Sequence, residues 1–308
     1  MGARRIAAID VDWLGHARSI AACLLEGDGF AALVDPGPAV SLPALREGLR
    51  SHGLSPADLD AVLLTHIHLD HAGAVGALVR ENPRLAVYVH ATGAPHMAHP
   101  AKLLESAGRL YGDRMERLYG AFLAVPQENL RALQGGESLS LGRFRLDVLH
   151  TPGHARHHVC YFDSSEGVAF AGDTAGIRIQ GDTFVLPATP PPDVDLELWE
   201  SSLAAILSRH PARLFVTHFG FSDDPQAHVE EFRERLRGWA ARARQLLRAS
   251  GDEAAALAAF VESVRSEVEK SLPAPEIAHY LFNGGVDLSW LGLARYWRKR
   301  EAAQTPAG

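Results

Sequence analysis

The sequence predicts an α/β protein, and three observations carry that expectation. Apolar runs of strand length alternate with amphipathic helical patterns up to about residue 220. Turn chemistry such as Asp35-Pro36-Gly37-Pro38 and Ser55-Pro56-Ala57-Asp58 separates the runs. The 308 residues are 47% hydrophobic and 22% charged, ordinary for a globular chain that needs no disulfide or structural metal to fold.

Residues 6–12, 18–25 and 30–34 read as short strands. Residues 42–52 read as a helix with Leu42, Leu45 and Leu49 on one side. Ala61, Val62, Leu63 and Leu64 form an apolar run without alternation, the pattern of a strand buried on both faces. A helix over 72–81 and a second buried strand over 85–89 follow, which is βαβ order. Residues 96–133 read as mostly helical. Strands resume over 135–149, 159–162 and 168–171. Thr189-Pro190-Pro191-Pro192 reads as rigid and extended. A helix over 196–208 and a buried strand over 214–217 complete the alternation, and only helices are expected after Pro225.

Composition excludes several classes of function. A net charge of −7 disfavours a protein that holds nucleic acid by phosphate neutralisation. Two cysteines, Cys23 and Cys160, make no disulfide framework and suit a reducing compartment. Asp10 and Asp12 interrupt any apolar signal region after Arg4 and Arg5, and no apolar run approaches 18 residues. The expectation is a cytoplasmic protein with a small-molecule substrate, no nucleic-acid or membrane partner, and a homodimer left open.

The unusual number is sixteen histidines. Four ligand-type residues, His66, His68, Asp70 and His71, fall within six positions directly after a buried strand. Strand ends are where α/β proteins place ligands. In an extended run 66, 68 and 70 project to one side, and His71 projects differently as the chain turns into a helix. One segment thereby serves two adjacent metal positions. Thr151-Pro152-Gly153-His154 follows another strand, and its tight turn aims His154 inward. Of the next histidines, His157 reads as exposed, while His158 supports the site or faces substrate. Asp173 in Gly172-Asp173-Thr174 ends a third strand, and its two oxygens suit it to bridge two cations. His218 in Thr217-His218 ends a fourth.

The ordered set Thr65-His66-Ile67-His68-Leu69-Asp70-His71-Ala72-Gly73, Thr151–His154, Gly172–Thr174 and Thr217-His218 resembles the metallo-β-lactamase fold superfamily over roughly residues 5–222. The resemblance implies a four-layer αββα sandwich over 1–222 with a metal site at its rim. It implies a C-terminal helical extension over 223–308, packing on or near the active site. One metal would be held by His66, His68 and His154, the other by Asp70, His71 and His218, with Asp173 bridging. Asp35 resembles a family feature that supports the ligands from behind.

Nitrogen and carboxylate donors suit zinc, and also manganese or iron. A water shared by two such cations is hydroxide near neutral pH and attacks a carbonyl or phosphoryl centre. The expected activity is hydrolysis of a small ester, thioester, lactone or phosphodiester, with Asp70 and His158 as candidate catalytic groups. The branch resembled is that of glyoxalase II and the lactonases. Glyoxalase II carries its last histidine in a Cys-Gly-His-Glu-Tyr context, whereas this chain has Val-Thr-His-Phe-Gly-Phe, which points away from glutathione thioesters. Persulfide dioxygenases share the motifs and use one iron, and on that resemblance the ligands would be His66, His154 and Asp173. A non-catalytic metal-binding protein is a third reading. Substrate selection is expected in segments 96–133 and 176–192 with the C-terminal helices. Lys102 and Arg178 are candidates to hold an anionic group, and Tyr111 and Tyr119 read as helix packing.

Overall fold

The computed structural model describes residues 4–179 and 182–304. Two six-stranded sheets face each other. The first comprises β1 (Arg5–Asp10), β2 (Ala21–Gly27), β3 (Phe30–Val34), β4 (Ala61–Leu63), β5 (Ala86–His90) and β6 (Leu130–Leu133), in that order. It is antiparallel from β1 to β3 and parallel from β3 to β6. The second comprises β7 (Ser138–Leu141), β8 (Phe144–His150), β9 (Val159–Asp163), β10 (Val168–Phe170), β11 (Arg213–Val216) and β12 (Gly220–Ser222).

Strand periodicity divides the core. Alternate residues of a strand face opposite sides, so Ala21, Cys23 and Leu25 of β2 pack between the sheets with Leu146, Tyr161 and Phe215. Ala22 and Leu24 face the other way, toward the helical layer. Both faces are covered, which is why β2 and β4 read as continuous apolar runs.

The first sheet's outer face carries α1 (Leu42–Ser51), the short α2 (Leu69–Ala72), α3 (Val75–Glu81), α4 (Ala94–Ala98), α5 (Ala101–Tyr111) and α6 (Arg114–Tyr119). The second carries α7 (Leu196–Leu207), α8 (Pro225–Ala249), α9 (Glu253–Ser271), α10 (Ala274–Gly284) and α11 (Val286–Gln304). The result is an αββα sandwich. Helix starts are chemically marked. Asp195, Asp224 and Asp252 each accept a hydrogen bond from a first-turn backbone N–H of α7, α8 and α9. The C-terminal helices are no separate core, because Phe232, Phe260 and Trp290 belong to one apolar cluster with Ala169 and Leu214 of the second sheet. Among the described residues no helix is long and apolar enough to cross a membrane.

Three expectations are corrected. Residues 96–133 are helical only through Tyr119, and 130–133 form β6, whose Leu130 and Leu133 mimic a helical spacing. The single helix over 72–81 is two, broken near Gly73, where an added Cβ would meet the Leu69 carbonyl at 2.5 Å. The extended Thr189–Pro192 segment bends at residues 191 and 192. The strand β12 was not expected.

His228 on α8 is buried, and its Nε2–H donates to the Ala175 carbonyl at 2.8 Å. Burial depresses its pKa to about 4. The unfolded chain takes up this proton below about pH 6.5, and the native chain not until about 4. Stability contributed by neutral His228 is therefore complete above pH 6.5 and is lost as pH falls toward 4, by about 3 kcal/mol. Urea unfolding at pH 7 and pH 4.5 should show a smaller acid-dependent loss in His228→Gln than in the wild type. Equal losses would contradict this.

Candidate metal centre

The seven ligand-type side chains arrive from four strand ends on one rim. β10 and β11 are parallel, and β8 runs with them because both β8 and β10 are antiparallel to β9. Their C-terminal ends deliver His154, Asp173 and His218. The segment after β4 delivers His66, His68, Asp70 and His71. The run is extended only through His68, which precedes the first turn of α2. Asp70 and His71 therefore leave on a helical turn, a correction to the expectation that 70 would align with 66 and 68. Two glycines allow the close approach. Gly153 has φ +143°, and a Cβ there would lie 2.4 Å from the Trp199 Cα. Gly172 has φ +48°, and a Cβ there would lie 2.5 Å from the Thr65 hydroxyl.

The donor atoms fall into three overlapping groups: His66, His68 and His154; His66, His71 and Asp173; Asp70, His71 and His218. Asp173 lies between them, with Oδ1 3.1 Å from His71 Nε2 and Oδ2 3.4 Å from His154 Nε2. The remaining ring nitrogens are tied down. His154 Nδ1–H donates to the Ala188 carbonyl and His218 Nδ1–H to the Ser19 carbonyl, both at 2.9 Å. His71 Nδ1–H donates to Asp35 at 2.8 Å. The Thr65 hydroxyl donates to Asp35 at 2.6 Å and accepts from His66 Nδ1–H at 3.1 Å. These bonds fix the tautomers of His66, His71, His154 and His218 and leave their Nε2 atoms facing the centre, while His68 faces it with Nδ1.

That arrangement tests whether a cation fits. His68 Nδ1 lies 3.0 Å from His66 Nε2 and 2.9 Å from His154 Nε2. The protons of His66 and His154 sit on Nδ1, so one proton on His68 can serve only one of these contacts. The other sets two lone pairs against each other, as nitrogens stand around a shared cation. His71 Nε2 and Asp173 Oδ1 are buried, close together and without a hydrogen-bond partner. The donor set of imidazole and carboxylate is that of zinc and related divalent metals.

Electrostatics divides the centre in two. Burial and neighbouring imidazoles hold His66 well below its ordinary pKa and bring His68 down to about 3. Burial also lowers His154. These rings are neutral, the ligand form. Burial opposes charge on His71 and His218 too, but Asp173 and other carboxylates beside them raise both. Burial likewise opposes charge on Asp70, yet His71 and His218 bring it down to about 2. The carboxylates demand positive charge at this spot, which a proton or a cation supplies.

His157 sits where the sequence reading did not put it, and His158 fits one of its two readings better than the other. His157 is 8% exposed rather than open to solvent. His158 is fully buried behind His66, its Nδ1 within 2.9 Å of the Thr151 hydroxyl and 3.1 Å of the Thr174 hydroxyl. It is not among the residues lining the substrate-sized cavity, so direct contact with substrate does not fit it. That cavity, about 460 Å³, is lined by His68, Asp70, His154, Asp173 and His218 on its floor. Trp13, Tyr111, Tyr119 and Phe282 wall it, so the two tyrosines do more than pack helices. Lys102 lines a separate neighbouring cavity, and Arg178 reaches the Phe221 carbonyl, so neither candidate lies here. Arg114, Arg117 and Arg265 line it instead, and a basic pair three apart at 114 and 117 was the available signal. Ile177, Ala188 and Pro190 of the 176–192 segment also contribute, while residues 180 and 181 lie outside the described residues.

The family model described as the metallo-beta-lactamase superfamily matches residues 17–218. The metallo-beta-lactamase fold-containing protein ST1585 of Sulfurisphaera tokodaii is 30% identical over 181 residues, 58% of this chain and 67% of that one. Its structure has a TM-score of 0.66 at 23% identity, covering 94% of this chain and 98% of that one. The metallo-beta-lactamase family protein TTHA1429 of Thermus thermophilus has a TM-score of 0.69 at 25% identity, covering 97% of this chain and 94% of that one. A hydroxyacylglutathione hydrolase of Xylella fastidiosa is 34% identical over 151 residues, 49% of this chain. The match spans only 43% of that hydrolase.

Asp35 orients His71 and also holds Thr65 and Thr217, so changing it should weaken both metal binding and the fold. Asp35→Asn places an amide where His71 Nδ1–H now finds a carboxylate. Metal affinity should fall about 10–100-fold, measured by competition with a chromophoric chelator, with native circular dichroism retained at about 20 °C and the thermal midpoint lowered. Unchanged affinity would contradict the role given to Asp35.

Proposed function

The chain belongs to the metallo-beta-lactamase superfamily, and from that premise we propose that it is a metal-dependent hydrolase of a small ester, thioester, lactone or phosphodiester. The observation that carries the reading is the set of ring nitrogens and carboxylate oxygens that converge with their protons directed elsewhere. His66, His68 and His154 would hold one divalent cation, and Asp70, His71 and His218 the other, with Asp173 shared. Zinc suits the donors, and manganese or iron is compatible with them. When bound, such a pair supplies hydroxide at neutral pH and stabilises charge developing on the attacked carbonyl or phosphoryl oxygen.

The chain's own residues set the rest. The Nδ1–H bonds to Asp35, Ala188 and Ser19 keep the imidazoles from turning. Asp70 is our choice for the group that handles the proton. Its side chain is 22% exposed, and it lines the cavity beside Asp173. Trp13 and Tyr119 are nearly buried, and their rings, 5.9 Å apart, exclude water from one wall. His158 positions neighbouring groups through Thr151 and Thr174. A net charge of −7 favours a small molecule over nucleic acid as partner, and a cytoplasmic setting is part of the proposal.

Metal analysis of protein expressed without metal bias should find about two zinc or manganese per chain. Chelation should abolish turnover in an ester, thioester, lactone and phosphodiester screen, and metal should restore it. His68→Ala should lose metal and turnover together. Turnover by His68→Ala at wild-type metal content would refute the assignment, and about one iron per chain with oxygen consumption would replace the hydrolase with a dioxygenase.

A further inference from the structure

The cavity over the candidate centre is graded from apolar to cationic. Trp13 is 6% exposed, stacks against Tyr119 with ring centroids 5.9 Å apart and meets the tilted ring of Phe282 at 5.1 Å. These rings form an apolar inner wall. At the mouth stand Arg114, Arg117 and Arg265, all exposed and all lining the same cavity. Asp287, also exposed, lines the same cavity. Arg265 has a long contact of 3.9 Å to Glu262 on its own helix. Arg114 reaches only the Tyr111 carbonyl, at 3.4 Å, and neither Arg114 nor Arg117 is paired with a carboxylate among the described residues. Many of this chain's arginines are matched to acids, as in Arg233 and Arg237 with Glu200 or Arg235 with Glu231 and Glu267, and Arg114 and Arg117 are not. A protein of net charge −7 therefore leaves two cations unmatched at the entrance to the site where catalysis is proposed.

We propose that the cavity takes an amphipathic substrate, with its apolar acyl part against Trp13 and Phe282 and an anionic carboxylate or phosphate end held at the mouth by Arg114 and Arg117. The proposal rests on the hydrolase reading and assigns its substrate class. Guanidinium groups pair with carboxylate and phosphate oxygens through parallel N–H donors. The aromatic wall takes the apolar chain. Because the arginines stand at the mouth rather than among the metal-type ligands, they should act on binding and leave the chemical step alone.

The test compares octanoyl thioesters of three thiols of similar length, ending in a hydroxyl, a carboxylate or a phosphate, with the metal-loaded full chain. The wild type should favour at least one charged thioester over the neutral one by about tenfold in kcat/KM, and the preferred ending identifies the anion. Arg114→Ala/Arg117→Ala should remove that preference through KM, and Arg114→Lys/Arg117→Lys should restore part of it. Equal kcat/KM for all three in the wild type, or a preference that survives the double alanine variant, would overturn the proposal.

A second readout does not depend on turnover. Calorimetric titration with non-hydrolysable octyl thioethers bearing the same three endings should show about tenfold tighter binding of the preferred charged compound, lost in the double alanine variant. If no thioester is hydrolysed at full metal occupancy, the thioester reading fails. The titration then still decides whether the mouth binds an anion. Equal binding of the charged and neutral thioethers would overturn that inference.

Discussion

Asp35 stands fully buried at the end of β3 and accepts four hydrogen bonds from three segments. The Thr65 backbone N–H and hydroxyl come from the segment after β4. The Thr217 hydroxyl comes from the segment after β11, in the other sheet. His71 Nδ1–H comes from α2. One carboxylate thus joins both sheets at the rim and points the chain that carries the metal-type ligands. A buried carboxylate is costly unless its oxygens are satisfied. Here both oxygens are occupied by fixed donors, so the network is either complete or badly destabilising. That gives the rim one arrangement rather than several, which a site needing atoms placed within about half an ångström requires.

The same constraint explains why the ligands cluster although they lie far apart in sequence. Parallel β8, β10 and β11 end on one edge, and the sandwich brings the end of β4 against them. Tyr161 of β9 donates to the Leu64 carbonyl across the sheets at 2.9 Å, next to the ligand segment. The C-terminal helices then complete the site. Asn283 and His279 of α10 contact the Ser19 hydroxyl at 3.3 Å, and the Ser19 carbonyl orients His218. The helical segment after residue 222 is therefore built into the rim and the cavity wall.

Much of this was legible because its signals are local. The density of His66, His68, Asp70 and His71 has no bland explanation, and strands with both faces buried read as apolar runs. The legible part ended where tertiary contacts decide. Leu130 and Leu133 read as helix because nothing local announces that β5 offers an open edge. His157 read as exposed because the elements that cover it are distant in sequence. Lys102 and Arg114 are alike as surface cations on the same stretch, and only the turn at Gly112, with φ +56°, sends α6 to the mouth of the cavity. The aromatic wall joins Trp13 to Phe282 across nearly the whole chain, a pairing no spacing argument reaches.

The proposed hydrolase depends on these side chains holding two cations that share Asp173. Crystals of metal-reconstituted protein, with anomalous difference maps recorded at the metal's absorption edge, test it most directly. Two peaks are expected, one among His66, His68 and His154 and one among Asp70, His71 and His218, with Asp173 between them. A single peak held by His66, His154 and Asp173, or none at full metal loading, would contradict it.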